Sequence, residues 1–186
     1  MDDDVLFHDA TSVETLVAHL QRDPSLALVA GCYHPSVCYA FGMQWIDGQQ
    51  VLLEPVEPAA ATAAGLADAR PQRADVVQNV FVARTDVLRR FPWDERQRLM
   101  EHETFFAALA ARQQAVAFDS RVTLVHQRAK RTAAYELVRH AEVELLTWTC
   151  RNFPRVRAWL LPDFHLNCEQ RTSTTAAGVT SRLLWS

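Results

Sequence analysis

The run from Leu26 to Cys32, LALVAGC, sets the tightest limit on how this chain folds. It is apolar throughout, short, and bounded by Pro24 and Pro35, so it reads as a buried strand. Ahead of it, residues 9–15 carry a helix start, with Thr11 three positions before Glu14 as a capping box. Val13, Leu16, Val17 and Leu20 then share one face, and Asp23-Pro24 closes the helix.

Downstream, residues 37–43 and 50–56 are rich in strand formers and are separated by Asp47-Gly48, a strong hairpin signal. Residues 55–73 shift to Ala, Pro and small polar types. They read as a short helix or a surface loop, a candidate lid or acceptor-facing segment if not an ordinary insertion. Residues 75–83, DVVQNVFVA, read as a strand, and Arg84-Thr85-Asp86 starts a short helix through Leu88 that Pro92 ends. Residues 101–112 predict a helix with acids in its first turn, where the helix dipole favours them. Two strands follow, 115–118 and 122–126, joined by a turn at Asp119-Ser120. A longer helix is expected over 133–149, with Leu137, Ala141, Leu145 and Trp148 on its apolar side. Past Pro154 the pattern weakens: Trp159, Leu160 and Leu161 are expected to cover a core edge, and residues 171–179 read as loop or tail.

Composition narrows the class of protein. A length of 186 residues suits one domain with its own core, and 49% hydrophobic with 22% charged residues is ordinary for a soluble globular chain. The net charge of −3 and the scatter of the 19 Lys and Arg argue against a nucleic-acid surface. With no apolar run of membrane length and an acidic start, neither a membrane span nor a signal peptide is predicted. The four cysteines, Cys32, Cys38, Cys150 and Cys168, lack the CxxC spacing of a structural zinc site. Cys32 and Cys38 either pair across a tight turn or sit as small core residues, and free thiols are the favoured reading.

Chemistry-bearing residues fall in three places. Asp2 and Asp4, two apart on an extended backbone, point to one side and suit a hard divalent cation with oxygen ligands; a solvated acidic start is the plainer reading. Glu101 and Glu103, taken alone, are helix-dipole partners. His126, taken alone, is a hydrogen-bonded core or surface histidine at a strand end.

Together, in this order, DDDVLF, NVFVARTDVLRRFPWD (residues 79–94), EHETFF (101–106) and VTLVH (122–126) resemble the second half of a GT-A-fold glycosyltransferase. The likeness covers roughly residues 2 to 150 and is nearest the family 2-related β-1,4-N-acetylgalactosaminyltransferases. A second likeness, which includes NCEQRTSTTAAGV (167–179), is to the glycosyltransferase-like stem domain of fukutin-related proteins. The resemblance implies an α/β fold, the C-terminal portion of a Rossmann-like mixed-sheet domain over 1–150 with an extension over 151–186, the N-terminal nucleotide-binding strands missing.

It further implies a D-x-D site in which Asp2 and Asp4 hold a divalent metal, Mn²⁺ in these enzymes, with His126 as third protein ligand and Asp3 facing the sugar nucleotide. Glu103, or else Glu101, would be the general base, Glu103 being favoured for its nearness in sequence to Phe105 and Phe106. Trp93 and Asp94 would line the acceptor side, Trp93 as a stacking platform for a sugar ring. His102 departs from the acid usual in that motif. The implied reaction is inverting transfer of a sugar, N-acetylgalactosamine or a related hexose, from a UDP donor to a glycan hydroxyl in the Golgi or secretory lumen. The metal would neutralise charge developing on the leaving β-phosphate, and the base would take the acceptor's proton. The alternative is a non-catalytic binding or stem module of the same fold. Residues upstream of the D-x-D, which bind the uridine in the family, are expected on a longer gene product or a partner chain.

Overall fold

The computed structural model of the chain describes residues 5–9, 11–34, 38–46, 50–59, 70–95, 101–127, 158–161, 164–167, 172–175 and 180–182. The fold is mixed α/β with mixed sheets, divided into two compact units. The first takes Met1–Phe41, Pro55–Trp93 and Phe105–Ala129; the second takes Gly42–Glu54, Asp94–Thr104 and Lys130–Ser186. Among the described residues, no helix is long and apolar enough to cross a membrane.

The first unit is built on β2 (Leu26–Cys32), every residue of which is buried. It lies inside a four-stranded sheet between β7 (Ala115–Thr123), parallel to it, and β6 (Phe81–Ala83), antiparallel; β5 (Gln72–Ala74) pairs antiparallel with the far side of β7. Full burial of each Leu or Val side chain here contributes about 1.5–3 kcal/mol of transfer free energy. One face is covered by α1 (Val13–Arg22), whose Leu16 and Leu20 pack with Leu26, Val29, Ala117 and Val122. Val13 is exposed, and the helix instead buries His19 beside its two leucines.

The N-cap is Ser12, not Thr11. The Ser12 hydroxyl accepts the Thr15 amide at 3.2 Å, and Thr11 Oγ1 donates to the Thr123 carbonyl at 2.6 Å. At the other end, Asp23 is the C-cap, and the guanidinium of Arg84 donates to the carbonyls of Leu20, Leu26 and Asp23, tying the helix exit to the start of β2. Arg84 is also the N-cap position of α2 (Thr85–Arg90).

Three further expectations are corrected in this unit. Residues 75–83 are not one strand: β5 ends at Ala74 and β6 starts at Phe81, and between them Val76, Val77 and Val80 are buried while Val76 bridges Phe41. Apolar alternation arose there from a folded connection with three inward valines. Asp119-Ser120 is not a turn but the middle of β7, because Asp119 is turned inward and neutralised by neighbours. Opposite it the strands lose step: Ala30 pairs with Phe118 and Cys32 with Thr123, so β7 carries three more residues than β2 over that interval. Gly31 sits at this bulge, where a Cβ would stand 2.7 Å from the Val122 carbonyl oxygen. Finally, Cys32 and Cys38 are joined in a disulfide, with their Cα atoms 4.9 Å apart. The chain leaving β2 doubles back within six residues, close enough for the bond that their spacing left open.

The second unit holds a sheet in the order β12-β11-β10-β9-β4-β3. In it β3 (Phe41–Ile46) neighbours β4 (Gln50–Pro55), as the hairpin signal predicts, although Asp47 and Gly48 lie outside the described residues. β9 (Ala158–Leu161) pairs parallel with β4 and antiparallel with β10 (Phe164–Asn167), which pairs with β11 (Thr172–Thr175), then β12 (Thr180–Arg182). The expected loop over 171–179 therefore contains a strand. Its TSTT sequence has no apolar alternation, so pairing through backbone hydrogen bonds and β-branched threonines left no periodic signal. Residues 60–69 and the predicted helix over 133–149 lie outside the described residues.

Candidate functional site

The carboxyl ends of β2 and β7 converge, and in open α/β sheets that end is where ligands bind. Just past it, β8 (Val125–His126) pairs antiparallel with β1 (Val5–Leu6), with Val5 opposite His126 and Leu6 opposite Val125. The segment after β1 is tied to the same place. His8 Nε2 lies 3.1 Å from Thr123 Oγ1, and Thr11 Oγ1 holds the Thr123 carbonyl. Leu124 donates its amide to the Cys32 carbonyl at 3.0 Å, and Val5, Val80 and Leu124 form a small buried cluster against which Tyr33 packs.

His126 is half-buried, and its ring stacks on Tyr33, with centroids 4.7 Å apart and planes within 8°. Tyr33 follows Cys32 directly, so the disulfide to Cys38 anchors the loop that carries the stacking partner. Stacking fixes the plane of the imidazole against the tyrosine ring. Asp2, Asp3 and Asp4 lie outside the described residues; in the chain they immediately precede β1. Among the described residues there is no group of three or more His, Cys, Asp or Glu side chains arranged to hold a metal ion.

A second set of residues forms around α3 (Glu101–Ala110). In the first unit, Trp93 stacks on Phe105 at 4.4 Å between centroids, Phe81 lies parallel to Phe105 at 6.2 Å, and Phe106 meets Phe105 edge-on at 5.2 Å. Trp93 thus has one ring face against Phe105, within an aromatic group that β6 and α3 hold in place. In the second unit, the first turn of the same helix carries Glu101, with Oε1 3.7 Å from His102 Nδ1, and Glu103. Glu103 is buried, whereas the Glu101 side chain keeps 29% exposure. A buried carboxylate at a helix N-terminus is stabilised by the dipole. Asp94 is half-buried just after Trp93.

Sequence reasoning missed a buried cluster at the centre of the first unit. His19 Nε2 donates to Asp119 Oδ2 at 2.8 Å, and Arg121 donates to the same carboxylate from Nε at 2.8 Å and from its backbone amide at 3.0 Å. Burial pushes the Asp119 carboxyl up, but the hydrogen bonds from Arg121 and His19 outweigh it and hold the group below the usual carboxylate range. The same pairing raises the Arg121 guanidinium. The legible signal was His19 itself, three residues after Leu16 on the apolar face of α1, where a polar ring needs a partner.

No protein-family model matches the chain, and no curated protein matches it.

Proposed function

We propose that the chain is the C-terminal portion of a metal-dependent, inverting glycosyltransferase of the GT-A type, transferring a sugar such as N-acetylgalactosamine from a UDP donor to a glycan hydroxyl. The observation that carries this reading is the register of β1 against β8. Val5 lies opposite His126 at the carboxyl end of the parallel pair β2 and β7, and the three carboxylates Asp2-Asp3-Asp4 directly precede Val5 in the chain.

In this reading, Asp2 and Asp4 with His126 would hold Mn²⁺, and a metal held there would supply positive charge beside the leaving diphosphate. Asp3 contacts the sugar nucleotide. Glu103 accepts the acceptor hydroxyl's proton, with Glu101 as the second candidate, and Trp93 and Asp94 line the acceptor side. The aromatic group of Phe81, Trp93, Phe105 and Phe106 supports the last assignment, since sugar rings bind over rigid aromatic faces.

Metal binding tests the reading directly. Titration of Mn²⁺ into the chain, followed by electron paramagnetic resonance, is expected to give one saturable site that Asp4→Ala abolishes and His126→Ala weakens at least about tenfold, the cost of one lost charge-assisted contact. Binding unaffected by both substitutions would end the proposed ligand set. Metal binding without Mn²⁺-dependent hydrolysis of a UDP-sugar would instead favour the non-catalytic module of the same fold.

A further inference from the structure

β2 is seven residues long, so its two ends are separated by about 20 Å. At its amino end, away from His126, the last turn of α1 and the segment entering β5 enclose a groove of about 660 Å³. It is lined by His19, Arg22, Asp23, Leu26, Arg70 and Arg73, all in the first unit. Among the described residues that line it, three arginines stand with one carboxylate, in a chain whose net charge is −3.

The one carboxylate is already satisfied from its own side. Asp23 Oδ1 accepts the Ser25 amide at 2.9 Å and the Ser25 hydroxyl at 2.5 Å, and Oδ2 accepts Arg73 Nη2 at 2.8 Å. The Arg73 and Asp23 side chains are 50% and 42% exposed, which makes their bridge a weak, exchangeable one. An incoming anion that draws Arg73 away leaves Asp23 with both Ser25 bonds. His19, buried and fixed on Asp119, gives the groove one wall that does not move with the arginines.

We propose that this groove binds a phosphate dianion, free or as the terminal group of a monoester, held by Arg70 and Arg73 with Arg22 adding to the positive field. The forked guanidinium matches tetrahedral oxyanions in pairs of hydrogen bonds. The volume falls within the usual range for small-molecule sites and exceeds what the ion needs, which leaves space for an organic portion. The site is separate from the metal site of the transferase reading and does not depend on it.

The test is calorimetric titration of inorganic phosphate into the whole chain at constant ionic strength, beside thermal denaturation with phosphate, chloride or acetate. Saturable phosphate binding is expected, weakened at least about tenfold by Arg70→Gln and by Arg73→Gln, with circular dichroism unchanged and with no matching shift from chloride or acetate. Absence of saturable binding, an equal effect of chloride, or full binding by the double variant Arg70→Gln/Arg73→Gln would overturn the proposal. So would phosphate binding that responds to His126→Ala instead of the arginine substitutions. Within a supported site, phenyl phosphate binding tighter than inorganic phosphate assigns the groove to a monoester, and equal binding assigns it to the free ion.

Discussion

Gly31 has no room for a side chain. A side-chain carbon there would meet the Val122 carbonyl oxygen at 2.7 Å and Leu124 Cδ1 at 2.9 Å, and the first of these is backbone that cannot swing aside. Gly31→Ala is expected to destabilise the protein by about 1–3 kcal/mol, read as a lower urea midpoint at unchanged slope. An unaltered midpoint would mean that β7 yields at the bulge. Gln113 shows the opposite case. It ends α3 in the left-handed region at φ 56°, where its amide bonds the Ala110 carbonyl and the Gln114 amide reaches back to Leu109. Glycine takes that conformation without a Cβ penalty, so Gln113→Gly is expected to raise stability by about 0.5–1 kcal/mol in the same assay. Neither residue was legible in the sequence as special, because both depend on backbone geometry set by partners far along the chain.

Elements with a strong local period were readable to within a residue or two. β2 has the predicted bounds, α1 runs from Val13 with Asp23 closing it, and α3 begins at Glu101. What failed was contrast between local pattern and tertiary demand. Asp119 looked like a turn residue because an aspartate in a strand has no local reason to be there; its reasons are His19 on α1 and Arg121 two residues on. The candidate site divides the same way. His126 at a strand end was readable, whereas the Tyr33 ring that stacks on it depends on a disulfide that spacing alone left undecided. Closing a loop of about six residues restricts the unfolded chain by about 2 kcal/mol in the loop-entropy account. Reduction of the Cys32–Cys38 bond, or the pair Cys32→Ala/Cys38→Ala, is therefore expected to lower the unfolding free energy by about that amount. Denaturant titration with and without reductant measures it, and a change below about half of that would show that loop closure in the unfolded chain is not the main contribution of the bond.

At the scale of the molecule, the Asp119 cluster joins positions 100 residues apart in the chain and links helix to sheet. Its carboxyl titrates lower in the folded protein than the ordinary value near 3.9, so the stabilisation it brings is fully present above about pH 4 and is lost as pH falls through the depressed folded value. Urea unfolding between pH 6 and pH 2 should show stability declining across the acid end, with a flatter profile for Asp119→Asn. Asp119→Ala at neutral pH is expected to cost about 3 kcal/mol, since it strands a buried histidine and a partly buried arginine. A profile unchanged by Asp119→Asn would locate the acid sensitivity elsewhere. The three additional residues of β7 have a different effect on the chain. A strand alternates its side chains with a period of two, so an odd insertion reverses the phase of everything beyond it. That reversal is why Ala117 and Val122, five positions apart, both reach the core beneath α1, while the same three residues set Thr123 level with Cys32. The bulge works as a half-period spacer: adding or removing one residue between Phe118 and Val122 would send the valine outward, bring the threonine hydroxyl into the apolar layer, and separate His8 from its anchor without altering a single residue of the site.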